Sequence, residues 1–306
     1  MRRGLYGRDT ELTVRMFVVL FLLAAVYLCF LFVLWQVGVD YGALVIIAGV
    51  LLAVQYLFSD KIVLFSTGAQ EVDERQAPEL HATMARLAAM ADVPKPRLAV
   101  MRSDVPNALA TGRDPEHAVV AVTTGLLRRL EGNELEGVLA HELTHIKNRD
   151  ATVITLASFF ATVAFFIMRS GLFFGMYGGG FGRRRGRDGG AGAMVIIYLA
   201  ALAVWVISFF LIRALSRYRE YAADRGSAII TGAPSALASA LLKISGEMAR
   251  IPQRDLREVQ GMNAFFIVPA LTGSSVMELF STHPSLENRL ARLRRMQEQM
   301  EGLGPR

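Results

Sequence analysis

From Met16 to Val37 the chain reads MFVVLFLLAAVYLCFLFVLWQV, an apolar run without a charged side chain. At about 1.5 Å per residue, a helix of that length crosses a hydrocarbon core about 30 Å thick. Tyr41 to Phe58 is a second run, separated from the first by only Gly38, Val39 and Asp40, so the two are expected to form a tight membrane hairpin. Ala151 to Met168 and Ala193 to Ile212 are a third and a fourth. The first run is too long for a cleaved signal peptide and lacks a small-residue cleavage site, so a retained anchor is expected. Composition agrees: 53% of residues are hydrophobic and 20% charged, against about a quarter charged in soluble domains. Disordered, collagen-like and disulfide-stapled secreted folds are excluded, the last because Cys29 has no second cysteine to pair with.

The net charge of +6 suits either nucleic acid or a membrane surface, and the positions of the arginines decide between them. Arg2, Arg3, Arg8 and Arg15 precede the first run, Lys61 follows the second, and Arg213, Arg217 and Arg219 follow the fourth, while the Gly38 to Asp40 turn has no positive charge. Positive ends face the cytoplasm, which predicts a cytoplasmic N-terminus and cytoplasmic polar segments. Gly171 to Gly192 disagrees, because Arg183, Arg184, Arg185 and Arg187 would face outward if the third and fourth runs both cross. Full crossing is still the expectation, since both runs are long enough and one outvoted loop is tolerated. This Gly-rich stretch lacks phosphate-loop spacing, and arginines flanking spans account for the charge, so the lipid bilayer is an expected partner and nucleic acid is not.

Two water-compatible stretches remain, 59–150 and 213–306. Glu71 to Met90 has helical spacing, with Leu80, Met84, Leu87 and Ala88 on one face. Pro94 and Pro96 end it before a strand over Arg97 to Met101. Asn107 to Gly112 reads as a turn or an extended strand, and Ala118 to Val122 as a β-branched strand. Asn133 with Glu136 predicts a capping-box start to a helix that continues through Leu135, Val138 and Leu139. Pro284 to Met300 predicts a last helix, with Leu286, Leu290 and Leu293 on one face and Arg289, Arg292, Arg294 and Arg295 elsewhere.

The helix opened by Asn133 carries His141-Glu142-Leu143-Thr144-His145. Residues four apart share a helix face, so two imidazoles converge on one ion while Glu142 reaches a water held there: the HExxH zinc geometry. Catalytic zinc wants three protein ligands and an open position. No cysteine is available and no third His follows in the His-x-x-Gly-x-x-His manner, so a carboxylate is expected. Ser216-Arg217-Tyr218-Arg219-Glu220-Tyr221-Ala222-Ala223-Asp224 continues the fourth run, with Glu220 as the expected ligand and Asp224, four residues on, as acceptor for a ligating imidazole. The alternative for Glu220 is an ion pair with Arg217 or Arg213. For Glu220 to meet the His pair, the intervening chain must cross the bilayer an even number of times, and two runs lie between. His283, which either contacts substrate or caps the last helix, and Tyr221 are the donors available to an oxyanion.

HELTHIKNRD, NALATG, SRYREYAADRGSA and STHPSLENRLARL together resemble the HtpX-type membrane zinc metalloproteases, relatives of the CAAX prenyl endopeptidases. The resemblance covers most of the chain. It implies a mainly α, multi-pass membrane protein with an α+β zincin-like (gluzincin) catalytic domain on the cytoplasmic side. On that reading 1–58 is a tail and transmembrane hairpin, 59–150 the first half of the catalytic domain, 151–212 a second apolar hairpin and 213–306 the second half. It implies His141, His145 and Glu220 as ligands of one Zn2+ and Glu142 as the catalytic acid/base. The implied function is quality control of misfolded or damaged membrane proteins at the cell membrane. Asn107 and Ala108 open a stretch that would lie beside the substrate backbone, with Leu109 where the family commonly has Phe, although Asn107 also reads as a plain turn residue. The rival functions are a catalytically silent membrane scaffold and a CAAX-type endopeptidase, which would need more spans. The sequence implies no oligomeric state.

Overall fold

The apolar runs form long helices. A computed structural model describes residues 10–36, 41–177, 190–248 and 281–302. Arg2, Arg3, Arg8, the Gly38 to Asp40 turn and the Arg183 to Arg187 loop lie outside them. Helix α1 (Thr10–Gln36) buries Leu12, Val19, Leu23, Tyr27, Phe30 and Leu34 on one face and leaves Phe17, Phe21, Leu28 and Trp35 exposed. It begins earlier than the apolar run, because Glu11 and Arg15 pair one turn apart. The buried face packs with α7 (Asp150–Tyr177) and α8 (Gly190–Thr231), where Tyr27 donates a hydrogen bond to the Ala157 carbonyl at 2.5 Å. Large apolar side chains thus cover the outside of this bundle as well as its inside, a surface suited to lipid.

Among the described residues, Thr10–Gln36 and Val195–Thr231 are long and apolar enough to cross a membrane, and a third span results if the bent pair Gly49–Leu57 and Ser59–Thr67 is taken as one. Helix α2 (Tyr41–Leu57) meets α3 (Ser59–Thr67) at this bend.

The polar remainder builds around a four-stranded sheet in the order β1 (Gln70–Glu71), β2 (Arg97–Met101), β4 (Val119–Thr123), β3 (Ala108–Thr111). β2 and β4 are parallel, and β3 runs antiparallel to β4 at the edge. Alternation along the strands divides the core. Leu98, Val120, Val122 and Ala108 face α4 (Pro78–Ala91) and α6 (Gly132–Lys147), whereas Ala99, Met101, Leu109, Val119 and Ala121 face Val63 of α3.

Two helix starts differ from expectation. α4 begins at Pro78 rather than Glu71, since Glu71 pairs in β1 and the Asp73 carboxylate accepts from the amides of Arg75 (2.9 Å) and Gln76 (2.8 Å), a turn that competes with the helix. Pro78 then suits the first helical turn, where no N–H is needed. α6 is capped by Glu131 with Glu134, not by Asn133 with Glu136: Glu134 accepts from the Glu131 amide at 2.9 Å and reciprocally Glu131 receives the Glu134 amide. Glu134 also accepts from Lys243 (2.8 Å) and Ser239 (2.6 Å) of α9 (Pro234–Met248). Burial alone would raise its carboxyl pKa, but these bonds hold it below the ordinary glutamate value.

Chain from both polar stretches shares one core. Leu237, Ala240, Leu241 and Ile244 of α9 and Leu293 of α10 (Leu286–Glu301) join Val138, Leu139 and Leu143 of α6. Between α4 and α6, α5 (Thr124–Arg129) is a short connector capped by Thr123. α10 departs from the expected pattern at Arg289, which is buried rather than set on a polar face.

Candidate metal centre

α6 carries His141, Glu142 and His145 inward, and all three line a cavity of about 300 Å³. α8 passes across α6 and brings Glu220 to the same place, because its apolar segment continues into the polar one without a break. The close crossing depends on Gly226, where a Cβ would lie 2.3 Å from Thr144 Cγ2 and 2.9 Å from Thr144 Cβ. Ser227 ties the crossing with a 2.7 Å hydrogen bond to the Gly137 carbonyl.

The structure brings His141, His145 and Glu220 together. Their ligating atoms all lie within 4.8 Å of one another. The two Nε2 atoms are 3.2 Å apart with the rings edge to face, and Glu220 Oε1 is 3.4 Å from His145 Nε2, its Oε2 3.7 Å from His141 Nε2. Behind the ligating atoms, His141 Nδ1 lies 3.0 Å from Asp224 Oδ1 and His145 Nδ1 lies 2.7 Å from Asp150 Oδ2. The Asp150 bond fixes the Nδ1–H tautomer of His145, and Asp224 beside His141 Nδ1 favours the same tautomer there, which turns both Nε2 lone pairs toward Glu220. Glu220 Oε2 is buried without a hydrogen bond. Two lone pairs and a buried carboxylate oxygen facing one another are costly unless a cation lies among them, so this donor set fits a metal ion.

Asp224 is clamped by Arg289, whose Nε reaches Oδ2 at 2.9 Å and whose Nη2 reaches Oδ1 at 2.6 Å. Burial would lower the Arg289 pKa, but the carboxylates of Asp224, Glu220 and Glu142 raise it above the usual arginine value. Beside Asp150, Arg219 pairs with its carboxylate and donates to the Asn148 carbonyl at 2.8 Å. Asp150, Arg219 and Arg289 were not expected at the site. Asp150 follows His145 by five residues, which on an unbroken helix would put the two about 140° apart. Arg149 instead adopts a left-handed φ of 54°, ending α6 and turning Asp150 back.

His283 lies in the cavity wall with Nδ1 3.1 Å from Glu220 Oε2, and Ser285 caps α10 in its stead, accepting from the Asn288 amide. Tyr221 points elsewhere, its ring 4.5 Å from the Arg292 guanidinium. Ala108 and the rest of β3 line the cavity as its edge strand. Asn107 does not line it; its amide bonds Thr123 Oγ1 at 2.9 Å and its carbonyl accepts the Thr123 amide at 2.9 Å. A second cluster, Asp114, Glu116 and His117, is already satisfied in part by Arg113, 2.6 Å from His117 Nε2.

A model of peptidase family M48 matches residues 74–297, which span the HExxH helix, Glu220 and most of α10. The chain belongs to peptidase family M48. It is therefore a metal-dependent peptidase, and His141, His145 and Glu220 form a group that could hold the M48 metal. It is 64% identical over 301 residues to "Protease HtpX homolog" of Moorella thermoacetica, covering 98% of this chain and 99% of that protein. It is 56% identical over 295 residues to "Protease HtpX homolog 2" of Methanosarcina mazei, covering 96% of this chain and 98% of that protein. The crystal structure of Ste24p from S. mikatae shares the fold, with a TM-score of 0.54 at 18% identity over 93% of this chain and 67% of that one. The M48 membership, the HtpX likeness and the two apolar helices agree with a membrane-bound metalloprotease.

Proposed function

We propose that the metal is zinc, held by His141, His145 and Glu220, and that the enzyme cleaves extended segments of misfolded or damaged membrane proteins at the cytoplasmic face of the cell membrane. One observation carries this reading: the three ligand atoms converge in a cavity walled by an edge strand and by Ile154 and Ile212 from the site-side ends of the apolar segments of α7 and α8. Imidazole and carboxylate donors with an open position suit zinc. Bound zinc supplies Lewis-acid chemistry, polarising a carbonyl and acidifying water. Glu142, on the same helix turn, takes the proton from the attacking water and passes it to the leaving amine. β3 has one side paired to β4 and the other toward the cavity, which supports a substrate adding as a further strand. Asn107 at its start anchors that strand rather than touching substrate. His283, in the cavity wall with its Nδ1 3.1 Å from Glu220 Oε2, is the donor offered to the oxyanion.

In this reading four apolar helices cross the bilayer, and the second pair separates the two ligand-bearing segments without moving them to opposite sides. Glu142→Gln is expected to keep its metal and to cut cleavage of an unfolded membrane-protein substrate by about 10²–10⁴-fold, the usual share of general acid–base catalysis. Cleavage by that variant at near the wild-type rate sinks the assigned mechanism.

A further inference from the structure

We propose that α3 is an interfacial helix that lies in the headgroup–acyl boundary of the bilayer and seats the catalytic sheet on the membrane, an inference that rests on the membrane placement above. α2 and α3 meet at a bend of 65°. Beyond the bend, Phe58, Ile62 and Phe65 recur at the spacing of one helix face, and that face is open: Phe65 is 91% exposed. The opposite face is taken. Val63 is buried and Leu64 packs with it against Ala99, Met101, Leu109, Val119 and Ala121 of the sheet, while Asp60 binds Arg97 of β2 at 2.6 Å. α3 thus covers the sheet with one side and offers aromatic and branched apolar groups on the other.

The occupant of that open side follows from continuity. The exposed apolar positions of α2, including Val50, Val54 and Leu57, lead directly into Phe58, so the surface that faces lipid on α2 extends onto α3. Lys61, with its ammonium 5.5 Å from the Phe58 ring centroid, places a cation over an aromatic group at the turn, where an interfacial helix meets phosphate headgroups. Asp60 and Lys61, together with the sheet packed on Val63, prevent α3 from continuing into the hydrocarbon as a straight extension of α2. Gly68, in a left-handed conformation with φ 65°, ends the helix and sends the chain into β1. Through α3 the sheet, and with it the β3 edge beside the metal site, is held at a fixed height over the membrane.

The test uses the full chain in vesicles of phosphatidylcholine and phosphatidylglycerol, with Cys29→Ser as background and an environment-sensitive fluorophore on Ile62→Cys, Phe65→Cys, Phe21→Cys or Glu298→Cys. Positions 62 and 65 are exposed in the fold, so labelling them leaves the packed face of α3 untouched, and each serves as a check on the other. The expected result is blue-shifted emission at 62 and 65, with fluorescence lost to lipid nitroxides placed high on the acyl chain and retained against aqueous iodide. Position 21 should respond to deep nitroxides and position 298 to iodide. Iodide quenching at 65 as complete as at 298 overturns the proposal. So does strongest quenching by deep nitroxides at 65, which would make α2 and α3 one continuous span, and so does protection that appears only in protein-crowded vesicles, which would assign the face to a second copy. Iodide access at position 21 would instead overturn the membrane-span reading itself, and the proposal with it.

Discussion

His145 is held from behind as firmly as from in front. Its Nδ1 bonds Asp150, which is in turn paired with buried Arg219. Outer partners of this kind orient the ring and raise its basicity, and losing one typically weakens metal binding by about 10–100-fold. Asp150→Asn keeps the shape and removes the charge, so its zinc affinity should fall by about that factor, read by chelator competition, while the variant remains folded by circular dichroism. Unchanged affinity would mean that Asp150 serves Arg219 alone. The contrast between residues that could and could not be anticipated is sharpest here. His141, Glu142, His145, Glu220 and Asp224 stand at helical spacings, so their faces follow from sequence. Asp150 depends on the left-handed Arg149, and Arg289 on tertiary burial against Asp224, and neither leaves a periodic signal.

Between elements, the decisive contact is the crossing of α6 and α8. Gly226 sits where its missing side chain would meet Thr144, whose hydroxyl is already committed to the Ala140 carbonyl at 2.8 Å. Gly226→Ala should therefore push α8 off α6. Overpacking of this kind costs about 1–3 kcal/mol, so the thermal midpoint should fall, and peptidase activity should fall further because Glu220 rides on the same helix. A variant as stable and active as wild type would show that the crossing is loose. The long helices and the strands over 97–101 and 119–123 were legible from apolar length and alternation. The starts of α4 and α6 were not, because an Asp73 turn and a Glu131–Glu134 box compete locally with equally plausible starts nearby.

At the scale of the molecule, a membrane bundle of α1, α7 and α8 stands against a catalytic core that draws α4, α6, α9 and α10 from both sides of the second apolar pair. In the proposed four-crossing arrangement two crossings lie between His145 and Glu220, so Arg183 to Arg187 are expected on the side of the membrane away from the metal site. In a Cys29→Ser background, Arg185→Cys should react with a membrane-impermeant maleimide added outside intact cells; reaction only after permeabilisation would contradict the four-crossing arrangement. In the proposed site His141 and His145 and the sequence-distant Glu220 hold one zinc ion between them. That claim is tested most directly by the zinc content of detergent-purified wild type and Glu220→Ala, measured by mass spectrometry after dialysis. About one ion per wild-type chain and loss of tightly bound zinc in the folded variant are expected; a Glu220→Ala protein that keeps its full complement of zinc would contradict the three-residue site.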